Sequence, residues 1–131
     1  MRFMIIVKAT KDSEASALPF GPEWKPVFVE MEKYHEELQK AGVLLDYAGL
    51  QPTSKGWRIK YSGSKRMVID GPFTEAKEII AGYTLIQVKS RDEAVEWARR
   101  FPNPGLKDGE IEVRQLYEAE DFGESEGEAK R

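Results

Sequence analysis

Residues 2–9 are apolar on two alternating faces at once, with Phe3, Ile5 and Val7 on one and Met4 and Ile6 on the other. Such a run predicts a strand covered on both sides. Residues 10–25, punctuated by Pro19, Gly21 and Pro22, read as a long loop of the kind that often serves as a functional lid. Pro26 suits the first turn of a helix, and Val27, Met31, Tyr34, Leu38 and Ala41 recur at helical spacing. Gly42 supplies the stop, while Glu32, Lys33, Glu36, Glu37 and Lys40 form the wet side.

A second strand is predicted over residues 43–50. A hairpin follows, with Trp57, Ile59 and Tyr61 alternating with Arg58 and Lys60, a turn at Ser62-Gly63-Ser64-Lys65, and a return strand over 66–69. Residues 79–88 read as the next strand. Ser90 and Glu93 form a capping box for a helix whose apolar face is Ala94, Trp97, Ala98 and Phe101, and residues 111–117 read as the last strand. The order is β-α-β, a hairpin, then β-α-β. This is an α+β, ferredoxin-like plan: an antiparallel sheet with two helices on one face and an inserted β-hairpin. The helices cover one side of the first strand only. Nothing else in the chain is large enough for the other, so the pattern predicts a homodimer through the sheet face, closing a dimeric α+β barrel.

Charge divides the chain unevenly. Residues 118–131 hold six acids (Glu118, Glu120, Asp121, Glu124, Glu126, Glu128) and two bases, a net −4. Of the 20 bases and 23 acids in all, residues 1–117 therefore keep 18 and 17, about neutral. The chain divides into a domain over 1–117 and an acidic, disordered tail over 118–131. A neutral domain without a basic stripe speaks against nucleic acid. The strand at Gly82-Tyr83 also lacks the leading base and later stacking aromatics of an RNA-recognition strand. No run approaches a membrane span, and the apolar start is too short for a signal-peptide core, so a cytoplasmic location is expected. Without cysteine, and with one histidine, the chain offers no thiolate chemistry and no metal site. It has no Walker loop, dinucleotide fingerprint or serine elbow, so no cofactor is expected.

The candidate chemistry gathers at Asp70-Gly71-Pro72-Phe73-Thr74-Glu75-Ala76-Lys77-Glu78. Asp, Gly and Pro fix a tight turn, and Asp70 serves either as an Asx-turn acceptor or as a buried carboxylate that takes a proton. Glu75, Lys77 and Glu78 are either a wet helical turn or the rim of a polar pocket in which Lys77 holds an anion. His35 flanks the apolar stripe of the first helix. Tyr47, Trp57 and Tyr83 read as core, dimer interface or cavity lining.

The run Asp70-Gly71-Pro72-Phe73-x-Glu75-x-Lys77-Glu78, then Gly82-Tyr83, then Asp92-Glu93-Ala94-x-Glu96-Trp97-Ala98, resembles the DGPF branch of the YCII-related superfamily. Ala41-Gly42-Val43-Leu44-Leu45, Gly49-Leu50-Gln51-Pro52 and Ile111-Glu112-Val113-Arg114 match it as well, so the resemblance spans residues 1–117. It implies a dimeric barrel of ferredoxin-like protomers. It also implies a His–Asp pair, one branch acting on a chlorinated lactone, and a functional link to sigma factors of the extracytoplasmic type. Asp70 matches the family acid. The family histidine falls at Met31, and His35 stands one helical turn later.

Two functions follow. One is a homodimeric small-molecule-binding or regulatory module, with His35, Tyr47, Glu75, Lys77 and Glu78 as ligand contacts. The other is a cofactor-independent enzyme doing proton-transfer, lyase or dehalogenase-like chemistry with Asp70 in a barrel cavity. An internal polar cavity reaching Asp70 favours the enzyme. An apolar cavity without convergent titratable groups favours the binding module.

Overall fold

β1 (Arg2–Lys8) lies inside the sheet, hydrogen-bonded on both edges, because its apolar alternation leaves no face suited to water. The computed structural model describes residues 1–15 and 20–123. Along the chain β1 is followed by α1 (Lys11–Ala15), α2 (Lys25–Lys40), β2 (Leu44–Gly49), β3 (Trp57–Ser62), β4 (Lys65–Asp70), β5 (Ile80–Gln87), α3 (Arg91–Arg99) and β6 (Ile111–Gln115). Four strands form one antiparallel sheet in the order β2-β5-β1-β6, while β3 and β4 pair only with each other. This is the ferredoxin-like order with the hairpin inserted between β2 and β5. The segment read as a plain loop over 10–25 contains α1 and a 3-10 turn at Pro22–Trp24. Thr10 and Ser13 cap α1 by exchanging side-chain and backbone bonds of 2.9 and 3.1 Å.

Both long helices pack on one face. Phe3, Ile5, Ile86 and Val88 from the sheet meet Tyr34 and Leu38 of α2 and Ala94 of α3 in one core. Ile5, Leu38 and Ile86 are fully enclosed, each worth about 1.5–3 kcal/mol of burial. The Tyr34 hydroxyl donates to the Trp97 carbonyl at 2.7 Å, and Arg100 pairs with Glu37 at 2.7 Å, fixing α2 against α3. Burial pushes the Tyr34 phenol well above its ordinary range. α3 starts at Ser90, whose hydroxyl accepts from the Glu93 N–H at 3.1 Å. Register places Met4 opposite Leu85 and Ile6 opposite Tyr83 on the other face, where all four stay only half-buried.

The predicted tail begins in ordered structure. Arg2 grips Glu118 through Nε and Nη2 at 3.2 and 3.0 Å, which holds the Glu118 carboxyl below its ordinary range. A 3-10 turn follows over Ala119–Phe122, closing with Gly123 at a φ of 70°. Residues 124–131 lie outside the described residues.

The hairpin turns through Gly63, at a φ of 60°, and Ser64, a two-residue loop of the II′ kind that favours glycine first. At its other end Gly71 lies against residue 53, and a Cβ there would collide with the Thr53 carbonyl oxygen. Gly71→Ala is therefore expected to cost about 1–3 kcal/mol, as overpacking does. Urea denaturation measures it, and an unchanged midpoint would show that the turn yields freely.

Candidate functional site

A cleft opens on the helix face, between the first half of α2 and the β2–β5 edge of the sheet. Two adjoining cavities of about 320 and 310 Å³ form it, sharing Val7, Phe28, Gly49 and Ala81. The floor is small because Gly49 pairs with Gly82, and a Cβ on Gly82 would meet the Ala48 carbonyl at 2.8 Å. One wall is an aromatic cluster. Phe20, Trp24 and Phe28 stand four residues apart and meet with ring centroids 4.9 to 6.1 Å apart. Glu14 of α1 closes that end. Its carboxylate accepts from the Thr53 N–H at 2.8 Å and the Thr53 hydroxyl at 2.7 Å, tying the 10–24 segment across the cleft.

At the other end the structure brings together His35 and Tyr47. Their rings stack with centroids 3.9 Å apart and planes 12° from parallel. His35 is only 7% exposed, more enclosed than its place on the flank of the helix stripe suggests. Its Nε2 lies 2.7 Å from the hydroxyl of Thr84, itself fully buried, and the Met31 backbone also bonds the ring. Burial lowers the His35 pKa and the Met31 bond only partly opposes this, so the ring is neutral at pH 7.

The other predicted residues stand apart from this cleft. Asp70 ends β4, opposite Trp57, and is exposed. Glu75, Lys77 and Glu78 are exposed too, and Glu78 borders a shallow cavity at the root of the hairpin. Among the described residues neither Asp70 nor Lys77 makes an ion pair. The turn between them works as a joint. Phe73 N–H donates to the Thr53 hydroxyl at 2.9 Å, Gly71 N–H to the Gly56 carbonyl at 3.0 Å, and the Arg58 guanidinium lies 3.8 Å over the Phe73 ring. Sequence reasoning missed Glu14, Thr53, Thr84 and the Phe20, Trp24, Phe28 cluster. Only the cluster had a signal, aromatics at four-residue spacing. Among the described residues no group of three acids or histidines is placed to hold a metal, and no helix is long and apolar enough to cross a membrane.

Sheet, helices and cleft define a ferredoxin-like α+β protein with an apolar pocket beneath its first long helix. The YCII-related domain model matches residues 1–120, and the chain belongs to that family. It is 36% identical over 90 residues to an uncharacterized protein of Rhizobium meliloti (strain 1021), R00369, a match covering 69% of this chain and 73% of that one. Among solved structures it is similar to the 5-chloro-2-hydroxyhydroquinone dehydrochlorinase TftG from Burkholderia phenoliruptrix AC1100, in complex with 2,5-dihydroxybenzoquinone. The TM-score is 0.51 at 13% identity, over 92% of this chain and 98% of that one, which establishes a shared fold.

The depressed pKa of His35 has a signed consequence. Its contribution to stability is complete above the ordinary histidine value of 6.5 and is lost as pH falls below it, where the unfolded chain takes up the proton first. Between pH 7.5 and 5.5 the wild-type melting temperature is expected to fall further than that of His35→Gln. Parallel profiles would show that this ring does not carry the effect.

Proposed function

We propose that the chain is a homodimeric small-molecule-binding module whose ligand, a compact apolar or aromatic ring compound, occupies the cleft under α2. One observation carries this reading. The cleft is lined by Phe20, Trp24, Phe28 and Tyr47; of its acids and histidine, Glu14 and His35 already have hydrogen-bond partners within the protein, and Glu32 is exposed. An apolar wall with few polar groups is the usual make-up of a ligand pocket, and its volume suits a small ring. A regulatory role accords with the sigma-factor link that the DGPF resemblance implies. What supports the homodimer is the second sheet face, where Met4, Ile6, Tyr83 and Leu85 are apolar and only half-buried.

The enzymatic alternative has one feature in its favour. Asp70 stands on the hairpin, outside its own cleft, where a second copy could enclose it. The solved relative in fold is named for removing chlorine from a hydroquinone. Such chemistry here requires Asp70 to be buried and its pKa raised by the partner.

Two measurements test the reading. Light scattering at micromolar concentration is expected to give about twice 14.9 kDa. In a Trp57→Phe, Trp97→Phe background, where Trp24 is the remaining tryptophan, 2-naphthol should quench its emission saturably. Phe28→Ala should weaken that binding by about tenfold, the loss of one aromatic contact, while Asp70→Asn leaves it unchanged. Absence of saturable quenching would reject the cleft as the site. An Asp70→Asn protein with lost affinity would favour the enzymatic reading instead.

A further inference from the structure

The β3–β4 hairpin is an arm. Its strands pair with each other, and no helix or strand of the main sheet packs substantially against them. Register puts Trp57, Ile59, Tyr61 and Val68 on one side of it, and Trp57, Tyr61 and Val68 are 64, 66 and 64% exposed. A two-stranded ribbon alone in water is marginal, and a side carrying two aromatics of roughly 150–250 Å² each gains by being covered. The arm is also basic. Residues 55–70 hold Lys55, Arg58, Lys60, Lys65 and Arg66 against Asp70, five bases and one acid, a net +4, and register sets Arg66 on the aromatic side with Asp70 and sets Arg58, Lys60 and Lys65 on the other.

A complementary patch sits at the opposite corner of the main sheet. The arm leaves where Gly49 pairs with Gly82, on the β2 side. Residues 118–123 follow β6 at the other end, beyond Gln115 paired with Phe3. They carry Glu118, Glu120 and Asp121 and no base, and beside them Tyr117 and Phe122 stand exposed with ring centroids 5.1 Å apart. Arg2 holds Glu118 from the same side of β1 as Met4 and Ile6, which brings this corner to the second sheet face.

We infer that the arm is a clasp for a second copy of this chain, laying its aromatic face, which carries Arg66, on the partner's corner at residues 117–123, where Tyr117 and Phe122 stand beside Glu120 and Asp121. The inference rests on the homodimer reading above. Arm and corner lie on one diagonal of the sheet. A two-fold axis along the other diagonal, between two such faces, carries each copy's arm to the corner of the other. The strands of the two sheets then cross near a right angle, one of the two common modes of sheet packing. The exposed arm side approaches the roughly 300–600 Å² of the largest patch on a typical monomer. Counted with the surface it covers and doubled by symmetry, it reaches on the order of 1,200–2,000 Å², a standard interface, before the sheet faces are added.

Sedimentation equilibrium of the full chain tests the clasp. Arg66→Glu should raise the dimer dissociation constant at least about tenfold, and Tyr61→Ser should do so by a similar factor. Adding Glu120→Lys and Asp121→Lys to the reversed arm should bring it back to within about threefold of wild type. Circular dichroism of each variant should stay that of the folded protein, because these side chains are outside the core. A dimer indifferent to every arm variant overturns the clasp and leaves the homodimer standing. A weakened dimer that the corner reversal fails to restore also overturns it, by separating arm from corner. A wild-type chain that stays monomeric rejects both readings at once.

Discussion

Everything in this protomer is organised by the pairing of β1 on both of its edges. A strand bonded to β5 on one side and β6 on the other cannot slip by a residue without exchanging Phe3 and Ile5 for Met4 and Ile6. That parity sends Phe3 and Ile5 into the helix-covered core, where Tyr34, Leu38 and Ala94 meet them. It also leaves the second apolar face looking outward. That half-buried face is thus a direct consequence of the register that builds the core.

The same register explains why the cleft lies where it does. Toward the start of β1 the sheet presents Phe3, Ile5 and Ile86, large enough to fill the space beneath the helices, and the Tyr34–Trp97 bond locks α2 and α3 together there. Toward the β2–β5 edge the sheet presents Gly49 and Gly82, so the first half of α2 stands over a gap. The chain lines that gap with aromatics and buries the His35 ring against Thr84 and Tyr47, and that burial lowers its pKa. Burial without a neighbouring carboxylate lowers a histidine pKa, whereas a catalytic His–Asp pair relies on the opposite arrangement.

Period-two and period-3.6 patterning makes the strands, the two long helices and the strand order readable in the sequence, since each long element buries one face. The cleft was less legible. His35 and Tyr47 were nameable from their positions, but their stacking depends on which residues of α2 and β2 come opposite, which periodicity does not specify. α1 is short and wholly unburied, so its own pattern is silent, yet it delivers Glu14 to Thr53. Phe20, Trp24 and Phe28 straddle a predicted loop and the start of a helix, which hid their common spacing behind an element boundary. The Asp70 turn was conspicuous because Gly and Pro announce turns. What it holds together, however, is a matter of contacts 15 to 20 residues away.

Those contacts recast the turn as a mechanical part. Gly71 lacks a side chain because the Thr53 carbonyl occupies the space, and its N–H reaches Gly56, while Phe73 N–H reaches the Thr53 hydroxyl. Thr53 is in turn held through its N–H and hydroxyl by Glu14, which lines the cleft. One threonine therefore links the segment across the pocket to the base of the arm. Arg58, extending from β3 over the Phe73 ring, fastens the arm to the same joint. Asp70 stands just beyond it, its carboxylate facing solvent in the single protomer. The turn's backbone is thus spent on structure, tying the arm to the segment that walls the cleft.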